Sequence, residues 1–407
     1  MKKLEKSVPI IRFKGFYEAW EQRKLRDIAN YRNGKAHEQV EDEDGKYTII
    51  NSKFISTNGK VQRYTNEQVE PIFDGEIAMV LSDLPNGKEL AKLFLVKEDG
   101  KYTLNQRIAG ITPNENIDPI FLNFRMNRNN YFLKFDSGVT QTNLSKSQVE
   151  NFIALYPTFD EQYKIGLFFT QLDDTIALHQ RKLDTLKRMK KGFLQQMFPN
   201  NEEEIPNVRF TDFDAMWEQR KLKSITEKIT RKNKELESTL PLTISAQDGL
   251  IDQNEYFNKI VASRNIRGYF LVKNGEFAYN KSYSKGYPWG VVKRLDNYDM
   301  GVLSTLYIIF KPIKINSDFL TKYFDSTYWY RAVSQFATEG ARNHGLLNIA
   351  ASDFFEIELN IPLNNEEQKK IGLFFQQLEN ILILHQNKLE KLSILKKTYL
   401  KKCLFKN

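Results

Sequence analysis

Cysteine is almost missing from this chain: Cys403 is the only one among 407 residues. That excludes an intramolecular disulfide framework and a cysteine-rich zinc site. Histidine is scarce too, His37, His179, His344 and His385 being the whole set, so no histidine-built metal centre is expected. No stretch approaches the roughly 20 consecutive apolar residues a membrane-spanning helix needs. The opening MKKLEKSVPII carries lysines but no apolar core long enough for a secretory signal, so a soluble, cytoplasmic protein without a membrane partner is expected. The Gly-x-x-x-x-Gly-Lys-Ser/Thr phosphate loop is absent, and no two prolines are adjacent.

What is present is the balance of a folded protein, 41% hydrophobic and 27% charged. The length favours two domains over one core. Lys and Arg outnumber Asp and Glu by 60 to 51, giving a net charge of +9. That excess leans toward a polyanionic partner, because basic side chains displace counterions from phosphates.

The chain is written twice. PIIRFKGFYEAWEQRKLRDI (9–28) and PNVRFTDFDAMWEQRKLKSI (206–225) share eleven of twenty positions. EQYKIGLFFTQLDDTIALHQRKL (161–183) and EQKKIGLFFQQLENILILHQNKL (367–389) share fifteen of twenty-three. Between these constant segments the sequences diverge, leaving landmarks such as Gly75-Glu76-Ile77-Ala78 and Gly275-Glu276-Phe277-Ala278. Two copies of this length mean a duplicated domain, whereas a solenoid would show many short repeats.

The constant ends carry apolar residues at steps of four and three, a heptad seam. In the first copy it runs Ile165, Phe169, Leu172, Ile176, His179, Leu183 and on to Met197; in the second, Ile371, Phe375, Leu378, Leu382, His385, Leu389 and on to Cys403. Each helix of about 38 residues spans about 57 Å and needs a partner, for which the other copy is the obvious candidate. His179 and His385 share one seam position. They form either a ligand or pH-sensing pair, or a polar layer that fixes pairing, and the second reading is preferred because no carboxylate or cysteine cluster is nearby. The outer ends are basic, from Arg181 to Lys191 and from Lys388 to Lys406, either as a solvated face or as a docking surface.

The divergent bodies show short β-type runs, at 46–50, 76–82, 92–98 and 306–312, with DGK at 44–46 and 99–101 suited to hairpin turns. Helices are expected at about 117–134 and 317–337. The fold class is therefore α+β: two tandem domains of small mixed sheets with helices, separated by two long antiparallel coiled-coil helices, with an internal pseudo-twofold repeat. The expected segments are 1–157 and 201–362 for the domains, and 158–200 and 363–407 for the spacer helices. Several loops mix cations, amides and aromatics that suit base edges and phosphates. The candidates are Gln141 and Asn143 after Gly138; Lys281, Tyr283, Lys285 and Tyr287; and Arg342, Asn343 and His344. Arg32, Asn33, Lys35, Lys53, Arg63, Gln106, Arg107 and Arg264 complete the set.

A Trp-Glu-Gln-Arg-Lys-Leu opening, a divergent body, then Pro, Glu-Gln, Ile-Gly-x-Phe-Phe and a long Leu/His helix, all repeated once, resembles the specificity subunit of Type I restriction–modification systems. The resemblance covers essentially the whole chain. It implies two target recognition domains, each reading one half of a bipartite, asymmetric sequence in double-stranded DNA. It further implies antiparallel spacer helices that set half-site separation and dock two methyltransferase subunits. Those partners bind S-adenosylmethionine, and further motor-nuclease subunits use ATP and Mg²⁺; no cofactor and no catalytic residue is expected in this chain. Two rivals stand beside this reading. One is a metal-dependent nuclease built on Asp83 with Asp99-Gly100-Lys101, although those residues suit a turn and the second copy lacks matching acids. The other is a coiled-coil scaffold that never touches DNA.

Overall fold

The computed structural model describes residues 8–404 except 38–39, 86, 137, 200–202, 260–261, 263–264, 283–285, 337–346 and 348. Two compact units emerge: Met1–Gln180 with Asn387–Asn407, and Arg181–Gln386. The heptad stretches are unbroken helices, Phe159–Gln196 and Asn365–Cys403. Each unit therefore owns the first half of one long helix and the second half of the other, cutting across the spacer segments expected from sequence.

Inside each unit the two helix halves run antiparallel. In the first, the Phe168 ring lies 5.5 Å from that of Tyr399, and the Asp173 carboxylate 2.5 Å from Lys396 Nζ. In the second, Phe374 lies 5.0 Å from Phe193, and Glu379 2.6 Å from Lys190 Nζ. Phe168 matches Phe374 in the repeats and Asp173 matches Glu379, so both units use one register. The lysines that interrupt the apolar seam are those that meet these carboxylates. Ile165, Phe169, Leu172 and Leu183 are buried, as are Ile371, Phe375, Leu378 and Leu389. Ile176, His179, Leu382 and His385 are half-buried.

Each body centres on a four-stranded antiparallel sheet. Its order is 29–33, 108–113, 77–80, 93–95 in the first unit and 226–229, 308–312, 277–280, 291–294 in the second. A capped helix packs beside each: Asp118 accepts from Phe121 N–H at the start of Pro119–Met126, and Asn316 from Phe319 N–H at the start of Ser317–Asp325. The helical stretches expected at about 117–134 and 317–337 each hold two short helices among the described residues, Pro119–Met126 with Asn130–Leu133 and Ser317–Asp325 with Trp329–Ser334. In the first unit the break falls at Arg128, whose φ of 48° is left-handed. The first unit adds a mixed four-stranded sheet containing a parallel pair, 47–50 with 102–104. The second adds two two-stranded antiparallel pairs instead, 242–245 with 249–252 and 270–273 with 300–303. The class is α+β, as the sequence indicates.

The DGK segments are turns but not hairpins. Strand 93–95 pairs with 77–80, whereas 102–104 pairs with 47–50 and 71–72, so 99–101 carries the chain between sheets. The turn at 44–46 likewise precedes a strand whose partners lie at 64–65 and 102–104. Local turn chemistry was legible, but the partner of each strand was not.

Two buried glutamates per repeat hold this arrangement. Glu161, at the start of the first long helix, receives Arg12 through two hydrogen bonds of 2.7 Å and Trp20 Nε1 at 3.2 Å. Glu367 receives Arg209 at 2.7 and 2.8 Å and Trp217 Nε1 at 3.2 Å. The neighbouring glutamines complete the joint: Gln162 accepts from Asp118 N–H and donates to the Pro157 carbonyl, and Gln368 does the same with Asn316 and Pro362. The remainder of each WEQRKL motif is a strand, Glu21–Lys24 on Ile153–Tyr156 and Glu218–Lys221 on Glu358–Ile361, which ties the start of a body to its end.

The second glutamate belongs to the Gly-Glu landmark. Gly75 and Gly275 take φ of 78° and 80°, a left-handed turn that a side chain resists. It aims Glu76 at Arg32, with two hydrogen bonds of 2.6 Å, and Glu276 at Arg231, at 2.7 and 2.9 Å. Burial works to raise the Glu76 pKa, but hydrogen bonds from Arg32, Thr112 and the Phe73 N–H outweigh it and hold the carboxyl below its ordinary value.

Removing one side of a buried charge pair strands the other. Glu367→Ala should therefore cost about 3–5 kcal/mol, read as a lower denaturant midpoint, while an exposed change such as Lys369→Ala should cost little. Because the folded-state pKa of Glu76 is depressed, its stabilisation is full above the unfolded value near ~4.3. It is lost as pH falls through the folded value. Melts from pH 6 to 3 should show the advantage of wild type over Glu76→Gln shrinking with acid; a constant gap would refute this.

Candidate nucleic-acid interface

In the first unit several exposed polar side chains are gathered by backbone hydrogen bonds. The turn Asn105–Ile108 closes with Ile108 N–H on the Asn105 carbonyl (2.9 Å), leaving Gln106 and Arg107 exposed at its tip. Leu81 N–H donates to the Arg107 carbonyl (3.0 Å), and the Leu81 carbonyl accepts from Leu144 N–H (2.8 Å). Strand Ser82–Asp83 pairs with Thr142–Asn143, and Gln141 Nε2 donates to Ser82 Oγ at 2.8 Å. Lys35 N–H donates to the Leu104 carbonyl (3.1 Å), bringing the exposed Lys35 to the same region. Lys35, Gln106, Arg107, Gln141 and Asn143 thus come together from three chain segments, joined through the backbone of Leu81–Asp83, as ligand-reading loops on a scaffold do.

The other first-unit candidates fall differently. Arg32 is committed to Glu76 and Glu70, so using it on DNA means breaking a half-buried ion pair. Asn33 is exposed and accepts from the Tyr31 hydroxyl. Arg63 is exposed and pairs with Glu41 at 3.0 Å. Lys53 is exposed on the short helix Ser52–Ser56.

The second unit repeats the frame with different residues. The Lys281 carbonyl accepts from Leu347 N–H (2.9 Å), as Leu81 does from Leu144, and Lys281 Nζ donates to the Ile349 carbonyl at 3.1 Å. Arg264, Tyr283, Lys285, Arg342, Asn343 and His344 lie outside the described residues. Tyr287 lines a cleft of about 720 Å³ with Lys190, Lys293, Arg294 and Lys322. Those cations are already matched: Lys293 by Asp325, Lys190 and Lys322 by Glu379, and Arg294 by Asp296 and Asp318. Burial works to raise the Asp325 pKa, yet Lys293 and Lys322 hold it below its ordinary value. The cleft is a neutralised joint rather than an open cationic surface.

Sequence reasoning passed over two features. Leu306 is 58% exposed at the tip of a turn closed by Tyr307 N–H on the Ser304 carbonyl, the counterpart of Asn105–Ile108. Tyr256 and Phe257 form an exposed edge-to-face pair 5.0 Å apart on the short helix Gln253–Phe257. An apolar residue in a loop carries no chemical flag, and only superposing the repeats reveals Leu306.

The acids weighed for a nuclease have structural employment. Asp83 accepts from the N–H groups of Leu84, Glu89 and Leu90, and Asp99 from that of Asp74. Among the described residues no group of three or more His, Cys, Asp or Glu side chains is placed to hold a metal. No helix there is long and apolar enough to cross a membrane.

A family model described as Type I restriction modification DNA specificity domain matches residues 17–188. The chain is 23% identical over 406 residues to the Type I restriction enzyme MjaVIII specificity subunit of Methanocaldococcus jannaschii, covering 93% of this chain and 91% of that one. It is 24% identical to a putative type I restriction enzyme MjaX specificity subunit from the same organism, over 44% and 46% of the two chains. In structure it resembles the Type I restriction–modification S subunit from M. genitalium, with a TM-score of 0.58, 15% identity and coverage of 98% and 99%. A chain from a structure of type I R-M complex assembly and conformational transition gives a TM-score of 0.50 at 14% identity, over 96% and 98%. Residues 17–188 thus match a Type I restriction modification DNA specificity domain, the chain is similar over nearly its whole length to a type I specificity subunit, and it shares the fold of the M. genitalium S subunit.

Proposed function

We propose that this chain is the sequence-specific DNA-recognition subunit of a type I restriction–modification complex, with each unit reading one half of a bipartite, asymmetric site. The observation that carries this is a contrast between the repeats. Their buried joints match residue for residue, Arg12–Glu161–Trp20 against Arg209–Glu367–Trp217. The exposed turns on those joints do not match: Gln106 and Arg107 stand where the other unit carries Thr305 and Leu306. A scaffold protein gains nothing from varying its loops on a fixed frame, whereas a reader of two different half-sites requires it.

On this reading the chain performs no chemistry. Two methyltransferase subunits, which bind S-adenosylmethionine, dock on the long helices, and motor-nuclease subunits supply ATP- and Mg²⁺-dependent cleavage in the cytoplasm. The continuous helix Phe159–Gln196, shared by the two units, sets half-site spacing. Half-sites read from one side of B-DNA lie about 34 Å apart per helical turn.

Exchanging residues 29–157 for the body of another family member should change one half of the methylated sequence, read by methylome sequencing, and leave the other half intact. A change in both halves would show that the units are not independent readers. Inserting one helical turn near Leu186 should alter the permitted spacer, and an unchanged spacer removes the ruler role.

A further inference from the structure

The first unit holds eight arginines, from Arg12 to Arg128. Seven of them have a hydrogen bond, ion pair or other electrostatic partner. Among the described residues the guanidinium of Arg107 has none, although the turn that carries it is anchored by backbone hydrogen bonds. Asn105 N–H donates to the Ile50 carbonyl at 3.0 Å, Ile108 N–H to Asn105, and Leu81 N–H to Arg107. The flanking Leu104 and Ile108 are fully buried. Gly34 packs so tightly beneath the turn that a Cβ there would come 2.1 Å from the Asn105 carbonyl oxygen. A long cationic side chain with no internal partner, on a backbone that cannot drift, is arranged to meet something external at a fixed place.

We propose that Arg107 is the residue by which the first unit selects a guanine, donating two parallel N–H groups to the O6 and N7 atoms at the major-groove edge. The guanidinium is a planar fork of donors with no acceptor. In the major groove, guanine alone offers two adjacent acceptors on one base; adenine pairs an acceptor with a donor, thymine an acceptor with a methyl, and cytosine a donor. The matching place in the second unit holds Leu306, which has no donor, so the second half-site carries no guanine requirement at that position. This assignment rests on the DNA-reading function proposed above.

The test is selection from a pool of randomised duplexes by the chain purified with its methyltransferase subunits, followed by sequencing. Wild type should require guanine at one position of the first half-site. Arg107→Ala should lower the preference for guanine there by about 10- to 100-fold and leave the second half-site unchanged. Arg107→Lys, which keeps the charge but not the fork, should relax the same position. Melting midpoints equal to wild type show that the fold is intact in both, as expected for an exposed side chain. An unchanged motif in Arg107→Ala overturns the assignment. So does a uniform loss of binding across all sequences with a shallower salt dependence, which marks a phosphate contact instead. A wild-type complex that selects no motif overturns the DNA-reading function itself, a failure separable from that of the arginine.

Discussion

A carboxylate buried at the foot of each long helix, held by an arginine and a tryptophan from far earlier in the chain, is the constraint on which the rest depends. Glu161 and Glu367 sit where the first turn of a helix leaves N–H groups unpaired, so their charge is favoured there. Once buried, each carboxylate must be fully satisfied, because an uncompensated charge in the interior is expensive. The Arg fork and the indole N–H meet that demand, and the adjoining glutamine ties the same turn to the body's backbone; together they fix where a body begins, where it ends and how it meets its helix. The constancy of RF, WEQRKL and EQ between the repeats is the sequence trace of this one joint.

From that joint outward, tolerance for change increases. The central sheet keeps its strand order and its Arg–Glu clamp in both units. The second sheet is already different, a mixed four-stranded one in the first unit and separate two-stranded pairs in the second. The turns at the far edge share a backbone hydrogen bond and little else. A gradient from invariant interior to free rim lets side chains be exchanged at the rim without disturbing the interior that places them.

Much of this was legible in the residues because it is periodic or repeated. The long helices, their seam and the two-body plan follow from heptads and duplication. The helix lysines at seam positions, Lys190 and Lys396, were visible as interruptions, but their carboxylate partners Glu379 and Asp173 are distant in sequence and became evident only in space. The same limit separates Arg32 from Arg107. Both stand in polar stretches beside β-type runs, and nothing local tells them apart. Arg32 meets Glu76, 44 positions later, whereas Arg107 meets no acid among the described residues. Long-range pairing, not residue type, decides which cation is structural and which is free to act.

Each unit completes its core with the second half of the other repeat's helix and the residues just beyond it: Tyr399 and Leu404 in the first, Phe193 and Phe198 in the second. A single repeat is consequently not a self-sufficient module. Expressed alone, it leaves an apolar groove where the borrowed half should lie and a projecting half-helix shaped to fill the groove of an identical molecule. Half the gene would thus encode a protein whose natural state is a symmetric pair. If each unit reads one half-site as proposed, the two readers of such a pair would be the same and its target a palindrome; duplication and fusion would then release the two halves of the target to diverge.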